Sequence, residues 1–218
     1  MMANRISIDA RGIQEADASY EKNLQVLCES VETQKLSDED VNDVVNHIMD
    51  LIETAAELAK TENRYPYALF FAITALEECT KALASVDAQG QWCINRSKEL
   101  REHGFKHRMS VSPSFHTGSR LSADEWKMRY EKIWHKGRTK GFKDERSGSI
   151  YFSFQKTGVV TPLKKFSKEY VLNFLLFTTE VVDDNLLSIV RNVDSIMERQ
   201  ERIWREVYSF AAKASEKE

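Results

Sequence analysis

The sequence predicts an all-α protein, an antiparallel helical bundle with a small β-hairpin insertion near residues 150–161. Three observations predict it. Apolar residues recur at spacings of three and four along most of the chain. Only 8 Gly and 3 Pro interrupt 218 residues, too few turn-formers for a many-stranded sandwich. Residues 168–213 contain neither Gly nor Pro, as long helices require. At this length a single domain over residues 1–218 is expected, with a core of useful size.

A first, loosely amphipathic helix is expected from about residue 9 to 32, within an N-terminal segment of residues 1–35. Ser37 opens the second helix. Leu36 and Val41 can staple its start, and Asp38, Glu39 and Asp40 suit the positive end of a helix dipole. Val41, Val44, Val45, Ile48, Leu51, Ile52, Ala55, Ala56 and Leu58 then mark one apolar face. A short connection at residues 61–65 turns the chain back into a third helix, so the two form an antiparallel pair. Pro66 suits a first turn, where its missing N–H costs nothing. Gly90 is expected to stop this helix.

The third helix is the most informative stretch. Between residues 68 and 76 only Thr74 is polar, so the helix is apolar all round and central. Glu77, Glu78 and Lys81 interrupt that burial, and Lys81 can reach either carboxylate at a spacing of four or three. A charge in a core must be paired. The group is either a structural ion pair at the core rim or a polar site that the fold presents.

Residues 91–108 read as one further helix or two short ones. Residues 110–119 read as a loop, with Pro113, Gly118 and four serines. Residues 122–136 can be helical, with Trp126, Tyr130 and Trp134 on one packed face. Residues 137–148 read as irregular and basic. Residues 150–154 and 158–161 have the β-branched and aromatic character of two strands, which must pack on helices because a lone hairpin is marginal. Ser167 caps the final helical region, with Phe166 stapled to Val171. A single helix to residue 213 would be ~70 Å long. A break near Asp183, Asp184 and Asn185 is therefore expected, unless the helix protrudes and dimerises. Asp183 and Asp184 themselves read as a solvated pair, and residues 214–218 as a polar tail.

Charge is unevenly spread. Residues 1–63 hold 14 acidic and 5 basic side chains, residues 96–146 hold 14 basic and 7 acidic. Such a dipolar chain suits a polyanionic partner or self-association. Lys132, Lys136, Arg138 and Lys140 are the candidate RNA-facing cations. Cys28, Cys79 and Cys93 make neither a disulfide framework nor a metal motif, and the N-terminus lacks the apolar run of a secretion signal. A cytoplasmic protein is expected. No apolar run approaches the ~20 residues that span a bilayer, so no membrane is expected. No phosphate-binding Gly loop or dinucleotide fingerprint occurs. Neither a metal nor a cofactor is expected.

Residues 96–108 offer acid–base chemistry. Arg96 precedes His103 with six residues between, and Arg101 precedes His107 with five between. Histidine can move a proton from a ribose 2′-hydroxyl or to a leaving oxygen, and arginine can stabilise charge on phosphorus. That is the minimum equipment for metal-independent RNA cleavage.

Several features in order carry a resemblance. Tyr65-Pro-Tyr-Ala-Leu69 leads into an apolar helix ending Ala75-Leu-Glu-Glu-Cys-Thr-Lys-Ala82. His103-Gly-Phe-Lys106 follows, then Ser147-Gly-Ser-Ile-Tyr-Phe152, a turn through Gly158, Thr161 and Pro162, and a last long helical region. Over about residues 40–190 this resembles the AbiV family of abortive-infection proteins, within the wider HEPN-type helical domains. The resemblance implies a bacterial anti-phage effector that shuts down translation or growth. It also implies a homodimer with polar sites at its interface. Its carried-over positions are Glu77, Glu78, Lys81, His103 and Lys106. Thr80 stands where the family usually has Gly, and the Arg-to-His signature of HEPN ribonucleases can be placed two ways here.

Two functions are then open. In one, the protein cuts RNA: His103 or His107 is the acid/base, Arg101 or Arg96 the phosphate stabiliser, and Glu78 and Lys81, with Lys106 nearby, orient them. In the other, a non-catalytic dimer binds a phage protein or the translation machinery, and the Glu/Lys cluster holds helices together. RNA or a phage protein is the expected partner; DNA is not.

Overall fold

The computed structural model describes residues 10–115, 119–156, 158–186, 189–190 and 193–215. Within them the chain is helical, with two small antiparallel sheets. The expected first residue of the N-terminal helix, the end of the polar tail and residues 116–118 of the expected loop lie outside the described residues.

Helix α1 spans Ala10–Glu29. The chain then forms strand β1, Val31–Lys35, where helix was expected to run on. Helix α2, Asp38–Lys60, starts on a capping box: Ser37 Oγ accepts the Asp40 N–H, and the Asp40 carboxylate accepts the Ser37 N–H at 3.0 Å. Helix α3 spans Tyr65–Ala84 and packs antiparallel on α2. It ends before the expected Gly90. The 85–92 segment makes a turn instead, in which the Asp87 carboxylate accepts the Gln89 and Gln91 amides and Val86 bridges Trp92.

Residues 91–108 are only partly helical. Strand β2, Cys93–Asn95, pairs with β1, with Val31 opposite Asn95 and Lys35 opposite Cys93. A 3-10 turn at Glu99–Arg101 leads into helix α4, His103–Ser110. Periodicity misses β2 because its three residues are too few to show a period of two.

The expected single helix over 122–136 is two. Helix α5, Ala123–Arg129, and helix α6, Glu131–Thr139, meet at the fully buried Tyr130. Helix α7, Lys143–Gly148, replaces the expected irregular segment. Strands β3, Ser153–Gln155, and β4, Gly158–Val160, form the expected hairpin. Its apolar side chains face solvent rather than a helix. After the short α8, Pro162–Lys165, helix α9 runs over Lys168–Leu186 and α10 over Val193–Ser215. The long final region therefore breaks into two helices just beyond the expected acidic pair.

Helices α2, α3, α9 and α10 form the bundle, with α3 and α9 at its heart. Every residue from 171 to 182 of α9 is buried, making it a second central helix. Its threonines bond within the helix, and its Asn173 bonds to α5. Thr178 and Thr179 donate to the carbonyls of Phe174 and Leu175, and the Asn173 amide oxygen accepts from Arg129. Phe177 packs edge-on against Phe115 and Tyr130, and Phe142 packs edge-on against Phe174. Each such aromatic or aliphatic side chain contributes about 1.5–3 kcal/mol by leaving water.

The acidic front half is partly answered from within. Arg199 of α10 reaches Asp50 at 2.8 Å and Glu53 at 2.9 Å on α2, and Lys60 reaches Glu57 at 2.7 Å. Asp183 is not solvated. It pairs with Arg120 at 2.5 Å, and Arg120 also contacts Glu180 and Glu201 at 3.3 Å. Asp184 is exposed, as expected of a solvated position, while burial raises Glu180 to about 7 despite the Arg120 charge.

Gly137 on α6 is where α6 meets the core most closely. A Cβ there would lie 2.6 Å from Phe142 Cζ and 2.8 Å from Val111 Cγ2. In an open helix Gly→Ala stabilises by about 1 kcal/mol. Here Gly137→Ala is expected to destabilise by about 1–3 kcal/mol, because the ring and the valine have no room to retreat. Urea unfolding of the two proteins reads the sign directly.

Candidate functional site

Glu77 sits on the face of α3 that also carries Ile73 and Thr80, one turn to either side. It is 2 % exposed. On α4, His103, Lys106 and His107 stand at i, i+3 and i+4, and so share the face turned toward it. His103 Nδ1 is 2.8 Å from both Glu77 oxygens. His107 Nε2 is 2.7 Å from Oε1, and Lys106 Nζ is 3.0 Å from Oε2. From α7, Arg146 brings Nε to 3.2 Å from Oε1, while its guanidinium lies 4.8 Å over the Phe70 ring. One carboxylate thus gathers three helices.

Thr80 sets the approach of α3 and α4. Its Oγ1 lies 3.0 Å from the carbonyl oxygens of both Leu76 and Lys106, so its single proton is shared between its own helix and the next. A glycine there would lack this cross-helix bond.

The two histidines differ in freedom. His107 is fully buried, and its Nδ1 accepts the Phe142 backbone N–H at 3.0 Å. That assigns the ring proton to Nε2, which donates to Glu77. Gly141 makes this possible. Its φ of 71° turns the chain to aim the Phe142 amide, and a Cβ there would lie 3.1 Å from His107 Cβ. Burial lowers the pKa of His107, outweighing the pull of Glu77. Both its nitrogens are committed, so His107 is a neutral positioning group rather than a proton carrier. His103 is 47 % exposed on its side chain. Its Nδ1–H donates to Glu77, which leaves Nε2 on the solvent side of the pair.

Burial alone would raise the Glu77 pKa. Hydrogen bonds from His107, Lys106 and His103 more than reverse this and hold it at about 2. Lys106 and Arg146 set two cations against this one carboxylate.

The structure redistributes the expected roles. Lys81 pairs with Glu78 at 2.6 Å on the outer side of α3, so the contact to both histidines falls to Glu77 rather than to that pair. Arg96 is exposed and pairs with Glu32 of β1, and Arg101 is exposed on the 3-10 turn. No ion pair or hydrogen bond among the described residues brings either to Glu77, His103 or His107. The arginine of the site is Arg146, which spacing along the chain could not select. The signal that was available is the four-residue spacing of His103 and His107, which places them on one helix face. Among the described residues, no group of His, Cys, Asp and Glu is arranged to hold a metal ion. The candidate RNA-facing cations do not form one surface. Lys132 and Lys140 are exposed, but Lys136 is paired with Glu145. Arg138 is buried against Asp17, the Val111 carbonyl and the Tyr20 ring.

The family model HEPN_AbiV, described as AbiV, matches residues 39–183, from the start of α2 to near the end of α9. The chain belongs to the AbiV family. No curated protein and no solved structure matches it. The AbiV match contains every residue that touches Glu77, and it ties the chain to abortive infection. Helices α1 and α10 lie outside the matched span. No helix among the described residues is long and apolar enough to cross a membrane.

Glu77→Gln leaves Lys106 buried without its counter-charge and is expected to cost about 3–5 kcal/mol. The acid limb tests the same network. Glu77 titrates at 4.5 when unfolded and about 2 when folded, so its contribution is complete above pH 4.5 and lost as pH falls toward 2. The stability gap between wild type and Glu77→Gln should therefore narrow below pH 4.5. Urea midpoints of both proteins across that range measure it.

Proposed function

We propose that this AbiV protein is an anti-phage effector that halts translation by cutting RNA without a metal ion. The observation that carries this reading is the Glu77–His103 pair. A half-exposed imidazole has one nitrogen held by a buried carboxylate that Lys106 and Arg146 also contact. Geometry of this kind fixes a tautomer and leaves one nitrogen for proton transfer.

In the reaction, His103 Nε2 takes the proton of a ribose 2′-hydroxyl. The 2′-oxygen attacks the adjacent phosphorus, and the bond from phosphorus to the 5′-oxygen breaks. The products are a 2′,3′-cyclic phosphate and a 5′-hydroxyl, which takes its proton from His103 or from water. Arg146, partly exposed, supplies positive charge beside the phosphate as its negative charge grows, with the buried Lys106 behind it. Glu77 aims His103 and stabilises its protonated form; His107 and the Phe142 amide hold Glu77 in place.

A second reading has one observation in its favour. Lys106 and His107 are buried, and the carboxylate ties α3, α4 and α7, as a structural clasp would. The effector would then act by binding alone.

The two readings part on His103→Ala. Cleavage of total RNA in chelator should fall by about 10²–10⁴-fold, while the thermal midpoint falls only modestly, because Glu77 loses one donor and keeps Lys106, His107 and Arg146. Toxicity and protection should be lost with it. RNA left intact by the wild-type protein under infection conditions, or full protection by His103→Ala, would sink the cleaving reading.

A further inference from the structure

The β3–β4 hairpin and the two residues that lead into it expose three aromatic side chains in a row of four residues. Tyr151 is 67 %, Phe152 61 % and Phe154 79 % exposed. Phe152 and Phe154 stand two apart and so share one face. Their rings meet edge-on at 5.5 Å. Val159, paired with Phe154 across the hairpin, extends that face. Exposed aromatics in a cluster mark a contact surface.

Charge narrows what the surface contacts. Residues 147–168 hold four lysines and no carboxylate. Lys156, Lys164 and Lys165 are exposed. The ammonium groups of Lys164 and Lys165 rest on backbone carbonyls, those of Val159 and Asp144. Among the described residues, none of the three is neutralised by an acid. Flat rings flanked by uncompensated cations suit a chain of phosphates that carries flat, unpaired bases.

Position ties this surface to the site. Arg146, which touches Glu77, lies on α7, and the hairpin leaves directly from the end of that helix. The Tyr151 N–H still bonds back to the Ser147 carbonyl at 3.0 Å. Tyr151 lies five positions beyond Arg146, a reach of about 18 Å at full stretch and less around this turn.

We infer that the hairpin is a stacking platform for unpaired RNA, on which bases next to the cleaved linkage lie against Phe152 and Phe154 while Lys156 and Lys164 meet their phosphates. The inference rests on the RNA-cleaving reading for the identity of the polyanion. It adds a requirement that this reading lacks: the RNA must be single-stranded where it meets the hairpin.

A fluorescent 2′-O-methyl oligouridylate is the probe, because it forms no duplex and offers no 2′-hydroxyl to attack. Binding is read by anisotropy. Phe152→Ala with Phe154→Ala should weaken it about tenfold or more, with the thermal midpoint unchanged because both rings are exposed. Phe154→Tyr keeps a flat ring and should bind like wild type. Phe154→Leu keeps apolar bulk without the ring and should bind like Phe154→Ala. Lys156→Gln with Lys164→Gln should reduce the slope of log affinity against log salt by about 1.4. An RNA duplex should bind more weakly than the single strand.

Unchanged binding by the double alanine variant overturns the inference. So does full binding by Phe154→Leu, which would mark an apolar surface for a protein partner. Equal affinity for the duplex overturns it as well. The probe cannot be cut, so the outcome is separable from that of the cleavage assay. Ring-dependent binding with total RNA left intact removes the nuclease and keeps the platform. Normal cleavage by the double alanine variant, with binding unchanged, removes the platform and keeps the nuclease.

Discussion

A carboxylate inside a protein must be surrounded by donors or it will not stay ionised. Glu77 meets that demand with four side chains drawn from two helices besides its own. The requirement organises everything near it. Helix α4 must present His103, Lys106 and His107 on one face, and α7 must bring Arg146 within reach. The chain at Gly141 must turn left-handed so that Phe142 can lock His107 from behind. Each helix that answers the charge also covers part of α3, so the polar site and the apolar core share walls.

Burial divides the site into a fixed interior and a working edge. His107 and Lys106 hold the carboxylate and are held by it. Only His103 combines contact with Glu77 and broad access to solvent. Two histidines one helical turn apart thus take unlike roles because one backbone amide occupies one of them. Distances along the sequence cannot distinguish such roles, since Phe142 is far downstream of both.

Legibility followed length and periodicity. The α2–α3 pair, the cap at Ser37 and the apolar middle of α3 could be read directly, because long helices repeat their pattern often enough to be unmistakable. The importance of Glu77 within Glu77-Glu78 could not. Both can reach Lys81, and which one turns inward depends on α4, whose packing no local pattern encodes. Strands β1 and β2 were invisible because each is short and they pair across more than 50 intervening residues. Arg146 is one of 14 basic residues between 96 and 146, and nothing local marks it out, because its role exists only after α7 has docked. Arg138 shows the converse, a basic residue inside a basic run that the fold buries against Asp17 and Tyr20.

The hairpin has one more consequence. Among the described residues β3 and β4 pair with each other and with no third strand, so apart from the Val159 carbonyl, which Lys164 touches, their outer edges lie open. Such edges invite another strand, and in a crowded cell they are a route to aggregation. The lysines that flank the hairpin act against that outcome, because two like-charged hairpins repel before their edges can zip together. The same cations that would receive a polyanion therefore also keep the protein from polymerising with itself.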